Sequence, residues 1–306
     1  MIPFANLSLE MDKFLRDQSF RRDAIGAGHI QLCGIRGCLI RRDRGKVIGI
    51  SLLDNPEAVT NLYDDVMLVY GQKPGGQRFC EVYAMSTQPG IKSTWLKGYL
   101  KKGKGCPTVQ AGQYAYRRCT KYDLHQGKYW ALRTDHHVVA IRDVDKDTIP
   151  EPETDLWDYP IGTGINIHAG GKSARVDLYS AGCQVIQGGY GGEAWKQFKR
   201  FVYEVAAGQK VFHYTLIDGK FFGQWYNRSH DRLPVTLRRL YYGSQGERVR
   251  LLQAALLAKG YYHARGVDGD FGVATHQAVR RWQRANRIAQ TGLVTQGMMD
   301  VLGVRE

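Results

Sequence analysis

Two short stretches carry the residue types that do covalent chemistry. The first is Gly164-Ile165-Asn166-Ile167-His168-Ala169-Gly170-Gly171, and the second, a few residues on, is Tyr179-Ser180-Ala181-Gly182-Cys183. A cysteine attacks a carbonyl only as the thiolate, so it needs a base and hydrogen-bond donors for the oxyanion that forms. Read as a strand, the first stretch alternates: Asn166 and His168 share one face, Ile165 and Ile167 the other. His168 is the nearest candidate base and Cys183 the candidate nucleophile, with Asn166 as a third member able to orient the imidazole. Ser180 and Gly182 leave room for a substrate carbonyl and backbone N–H groups to receive its oxygen. Gly170 and Tyr179 flank the same loop.

These stretches must be held by a sizeable scaffold. The chain has 306 residues, enough for two domains, with 43% hydrophobic and 24% charged content typical of a globular protein. Its 36 glycines favour a turn-rich β architecture over a helical bundle. A formal charge of +14 calls for a polyanionic partner, and nucleic acid, an anionic lipid surface and bacterial cell wall all qualify. Residues 1–20 are interrupted by charges and lack the apolar core of a signal peptide, and no later stretch suits a membrane span. The expectation is synthesis in the cytoplasm without a signal peptide. Six cysteines in a chain of this size do not make a disulfide scaffold, and Cys33 and Cys38 read as small residues of a glycine-rich strand and turn rather than half a zinc site.

Along the chain, residues 7–24 read as an imperfectly amphipathic helix. Strands are expected at 30–33, 46–53, 65–70, 78–85, 114–118 and 212–217, and a hairpin joining 129–133 to 138–143. The basic run 36–46 and the acids of the loop 143–160 read as solvated surface, and 92–104 is a basic segment with Trp95 and Tyr99 among its lysines. Residues 193–205 form a helix with Trp195, Phe198, Phe201 and Val202 on one stripe. Residues 1–44 read as an N-terminal extension, 45–217 as the catalytic domain, 218–237 as a polar, aromatic linker, and 238–306 as a helical module.

In that module Val249, Leu252, Leu256 and Leu257 share a helix face, Gly260 ends the helix, and Asp268-Gly269-Asp270-Phe271-Gly272 is a tight turn before a second helix with Ala278, Val279 and Trp282 inward. The calcium-loop pattern is not met. Gly243, Gly246, Leu252, Gln253, Asp268, Phe271, Gly272, Thr275, Trp282, Gln283, Gly292 and Leu302 closely resemble the bacterial peptidoglycan-binding domain of the three-helix type, over nearly all of residues 238–306. The resemblance implies a cell-wall anchor, with Asp268, Phe271, Gly272, Thr275, Trp282 and Gln283 as its peptidoglycan-binding positions.

With the wall as partner, Ile167-His168 followed by Ser180-Ala181-Gly182-Cys183 resembles the L,D-transpeptidase (YkuD-like) catalytic domain, over roughly residues 45–217. The resemblance extends to residues 86–90 and 106–114. It implies an α+β protein, mainly β in the catalytic part, with an all-α three-helix C-terminal domain. Ala181 replaces the usual histidine, Ala169 the usual glycine, and Val185 stands where an arginine or asparagine is expected. The implied chemistry is cleavage or exchange of peptide bonds in the wall stem or cross-link through a Cys-His acyl-enzyme, without cofactor or metal. A wall enzyme without a signal peptide must be released to the wall by lysis, a holin or an injection apparatus, which suits a phage or prophage endolysin, and monomer is the default oligomeric state. The partners are peptidoglycan and the anionic envelope surface, and no nucleic-acid motif accompanies the charge. Two other readings stay open: a non-catalytic wall-anchoring component of a phage tail or injection apparatus, and a zinc-dependent amidase or peptidase using His125, His136 and His137 with His168. The latter lacks a recognisable ligand spacing.

Overall fold

A computed structural model describes the chain except residues 25, 54–60, 92–104, 135, 146, 148, 150, 161–163, 232–236, 264–265 and 305–306. The basic run 92–104 therefore lies outside the described residues. The architecture is mixed α/β and mostly sheet, with six α-helices among the described residues.

Eight strands close into a barrel in the order Ile167–Ala169, Gln184–Ile186, Arg78–Ser86, Asp65–Gln72, His29–Arg36, Phe212–Asp218, Gly112–Arg118 and Leu132–Arg133, with Leu132 pairing back to Ile167. Most neighbours are antiparallel. The two exceptions are Ile167–Ala169 beside Gln184–Ile186 and Phe212–Asp218 beside His29–Arg36. Closure removes the edges that an open sheet would expose. The interior is filled by inward residues of every strand, among them Ile30, Met67, Met85, Tyr114, Tyr116, Ile167, Ile186 and Tyr214, and the helix Glu193–Arg200 covers one side with Trp195 and Phe198. That helix continues through Phe201–Val205 with a widened turn, in which Ala206 N–H reaches back to Phe201 O (2.9 Å).

Residues 1–44, expected as an extension, are instead integral to this domain. His29–Arg36 is a central barrel strand, and the helix Phe4–Asp17 buries Leu7, Met11, Phe14 and Leu15 in a second core. The expected linker 218–237 is likewise corrected over most of its length. Asp218 caps a helix, Gly219–His230, by accepting the Phe221 N–H (3.2 Å). Its Phe221, Phe222 and Trp225 surround Phe14 with ring centroids 5.2–5.9 Å away. Aromatic residues at helical spacing made this segment a buried element, although its polar residues read as a linker. Among the described residues the expected hairpin of 129–133 with 138–143 does not form. Leu132–Arg133 joins the barrel, whereas Ala140–Asp143 pairs with Cys106–Val109 and Leu156–Asp158 in a separate small sheet.

The C-terminal unit holds the helices Glu247–Ala258, Val273–Ala285 and Gln296–Val301 around Leu252, Phe271, Val279, Trp282 and Met299. It is not wholly helical: Arg239–Leu240 and Val294–Thr295 form a short strand pair. It is docked against the barrel. Tyr241 enters the second core beside Phe20 (5.5 Å), Gln113 donates its N–H to Tyr242 O (2.8 Å), and Gln245 donates its N–H to Ser19 O (2.7 Å). A second contact brings Tyr159 to His276 (hydroxyl to Nδ1, 3.0 Å), while Arg280 lies over Trp157 at 4.2 Å. Among the described residues no helix is long and apolar enough to cross a membrane.

Candidate functional site

The parallel pair Ile167–Ala169 and Gln184–Ile186 sets the geometry of the candidate site. His168 pairs with Val185, and Gln184 donates its N–H to Asn166 O (2.8 Å), which places Asn166 beside Cys183. In a parallel register paired residues share a face, so Asn166, His168, Cys183 and Val185 all point away from the barrel interior, which Ile165, Ile167 and Ala169 fill. Cys183 and Val185 pack with Tyr63 and Val176 on that outer face. The thiol and the imidazole thus lie on one face of adjacent strands, diagonally rather than directly opposite.

At rest no hydrogen bond among the described residues joins them. The Cys183 thiol donates to Gly164 O (3.2 Å) and its sulfur accepts the Asn166 backbone N–H (3.4 Å). The side chain is only partly exposed, and its enclosure pushes the thiol up to about 11, the Asn166 N–H opposing that shift. His168 is buried, and its Nδ1 donates to Ala169 O (2.9 Å), which makes Nε2 the basic atom. Burial, with nearby His125 adding to it, holds this imidazole down to about 3, so it is neutral.

Asn166, expected to orient His168, has its side chain elsewhere. It is 2% exposed, Nδ2 is bonded to His125 Nδ1 (2.8 Å), and Oδ1 has no partner among the described residues. His125 was considered at the sequence level only as a zinc ligand. Its ring stacks on His168 with centroids 4.1 Å apart, and burial and Arg133 lower its pKa. The one local clue was the turn Gln126-Gly127, whose positive φ values (52° and 73°) fold the chain back at this point. Tyr190, also missed, places its hydroxyl 3.3 Å from His168 Nδ1.

The loop before Cys183 is tied together by one hydroxyl. Ser180 Oγ accepts the Gly182 N–H (3.1 Å) and donates to Cys183 O (2.7 Å). The Gly182 N–H is therefore already engaged, whereas the Cys183 N–H makes no hydrogen bond with the described residues. Gly182 has φ +126° and lies against Pro107, where a Cβ would come within 2.7 Å of the ring, so a side chain is excluded there. A Cβ on Gly170 would meet the Tyr63 hydroxyl at 2.4 Å, and Tyr179 is half-exposed over Gly171.

In the C-terminal unit, Phe271, Thr275, Trp282 and Gln283 are buried and hold the fold from inside. The two glutamines act as internal staples. Gln253 binds Asp268, Thr275 and the Gly269 N–H, and Gln283 binds Leu293 O and the Gly292 N–H. Asp268 remains exposed; burial of its carboxyl works against ionisation, but the bonds from Gln253 and the Asp270 N–H, with Arg250 nearby, together outweigh it and lower the pKa, and Gly272 precedes the second helix. Among the described residues, the grouping of His, Cys, Asp or Glu with metal-like spacing is Asp143, Asp145 and Asp147, and it includes no histidine. His137 is instead bonded through Nδ1 to Tyr159 O (2.8 Å).

Comparison with curated proteins and with solved structures gives no significant match for the chain. Residues 245–302 match the family described as "Putative peptidoglycan binding domain". The C-terminal unit is thus a peptidoglycan-binding domain, and peptidoglycan is the partner it gives this chain.

Proposed function

We propose that the chain is a peptidoglycan-active cysteine enzyme, a lysin that opens peptide bonds of the wall stem or cross-link through Cys183 and His168, with hydrolysis favoured over exchange. The observation that carries this reading is the placement of His168 and Cys183 on one outer face of adjacent strands, in a chain whose other unit is a peptidoglycan-binding domain. His168 Nε2 takes the thiol proton as Sγ leaves Gly164 O, and the thiolate adds to the carbonyl carbon of a wall peptide. The Cys183 N–H faces the developing oxyanion. His168 then returns the proton to the departing amine, and water attacks the thioester, restoring the thiol and releasing a carboxylate. The test is digestion of purified sacculi by the wild type and by Cys183→Ala, with products identified by mass spectrometry. Peptide-cleaved muropeptides from the wild type alone support the thiol route, and equal activity of the two sinks it.

A second reading, a wall-anchoring protein without catalysis, is favoured by one feature: the thiol and imidazole rest neutral and apart. In the same assay it requires that both proteins bind sacculi and release nothing.

A further inference from the structure

We propose that His125 is a positioning residue of the candidate site, acting through His168 and Asn166 and delivered by the hairpin turn of residues 125–129. This inference rests on the catalytic reading of Cys183 and His168. The turn is closed by reciprocal backbone bonds, His125 N–H to Tyr129 O (2.7 Å) and Tyr129 N–H to His125 O (2.9 Å). Gln126 and Gly127 supply the left-handed backbone that lets both ends face the barrel. Each end then presents a ring to the site. His125 covers His168 at 4.1 Å and 23°, and Tyr129 covers Tyr190 at 3.9 Å and 10°. Tyr190 in turn stands at His168 Nδ1.

The consequence for His168 is mechanical and electrostatic. A buried imidazole bonded through Nδ1 to its own neighbour's carbonyl has one remaining way to misplace Nε2, namely rotation of the ring, and the His125 face blocks it. His125 itself is fixed by the Asn166 amide, whose backbone N–H touches the Cys183 sulfur, so one residue, Asn166, links the hairpin to the thiol. The charged or titratable groups facing the two rings are Arg133 beside His125, Tyr190 beside His168, and each ring toward the other. All of them disfavour a second positive charge or leave it unpaired.

The test is a nitrogen-15 NMR titration of His168 in the full chain, in the Cys183→Ala background, with His125→Ala and His125→Phe. Phe keeps the ring cover and loses the amide bond; Ala loses both. The expected result is a His168 midpoint raised by at least one pH unit in His125→Ala, with the Nδ1–H tautomer no longer uniform, and a midpoint nearer the wild type in His125→Phe. A His168 titration and tautomer unchanged in a folded His125→Ala overturns the proposal, and so does a change of equal size in both variants. Should His125→Ala fail to fold, a His125→Phe spectrum with a mixed His168 tautomer overturns ring cover as the positioning device, and a uniform tautomer supports it. Because the titration needs no turnover, it separates failure of this proposal from failure of the catalytic one, which the digestion of sacculi reads.

Discussion

A cysteine at rest 3.2 Å from the Gly164 carbonyl, with its proton pointed there, has a reactivity that can be worked out before any substrate is known. With the thiol pushed up to about 11 and His168 held down to about 3, moving the proton between them is uphill by about eight pH units. At 1.36 kcal/mol per unit this is on the order of 11 kcal/mol, so no thiolate–imidazolium pair is populated in the free protein. Alkylation of Cys183 by iodoacetamide at pH 7 should then run roughly a hundredfold slower than that of an exposed cysteine of ordinary acidity, and should climb tenfold per pH unit toward pH 11 without a plateau at lower pH. His168→Gln should leave this profile unchanged, because the imidazole does not touch the resting sulfur. The assay is peptide-resolved mass spectrometry over pH 5–11, which separates Cys183 from the five other cysteines. A labelling plateau below pH 8 that disappears in His168→Gln would refute the reasoning, since it would reveal a preformed ion pair.

Burial and Arg280 hold His276 down to about 3 at the junction of the two units. Its folded pKa lies below the ordinary 6.5, so the stability that this group gives is present above pH 6.5 and is lost as the pH falls toward 3. At pH 4.5 the loss is about 2.7 kcal/mol. Urea titrations at pH 7 and 4.5 should show it, and His276→Phe should remove it, leaving the parallel loss from His168. A Cβ on Gly292 would lie 2.0 Å from His276 Nε2 at a φ of +70°, so Gly292→Ala should destabilise the unit by about 2–3 kcal/mol in chemical denaturation. Trp282→Ala should cost about 3–5 kcal/mol and abolish sacculus binding in a pelleting assay through loss of the fold, because the indole itself is buried.

The barrel strands were legible where one stretch of sequence carried its own signal. Residues 65–70, 78–85 and 212–217 are apolar runs bounded by turns, and the structure extends each by only one or two residues. What escaped was long-range. Nothing local to residues 29–36 says that they lie between strands from both ends of the domain, and nothing in 129–143 says that its two halves join different sheets. The helix Gly219–His230 was missed because its polar residues were read without its ring spacing. In the site, the shared face of Asn166 and His168 followed from alternation, and the neighbouring position of Cys183 followed from chain proximity. His125 did not, because it arrives from 41 residues before Asn166 through a turn. The glutamine staples of the C-terminal unit look like surface amides in the sequence, and only the packing shows them to be internal.

The buried helix Gly219–His230 and the docked Tyr241–Gln245 segment change what wall attachment does for the rest of the chain. Two units on a loose tether sample a volume, and attachment of one raises the concentration of targets for the other throughout that volume. Two units packed together sample a single offset. With the binding domain seated on the wall, the His168–Cys183 face is held at one distance and one angle from the seat. On the proposed catalytic reading, the docked pair is then a ruler that selects bonds by their spacing along the wall lattice as well as by their chemistry, and bonds elsewhere are reached only by release and rebinding.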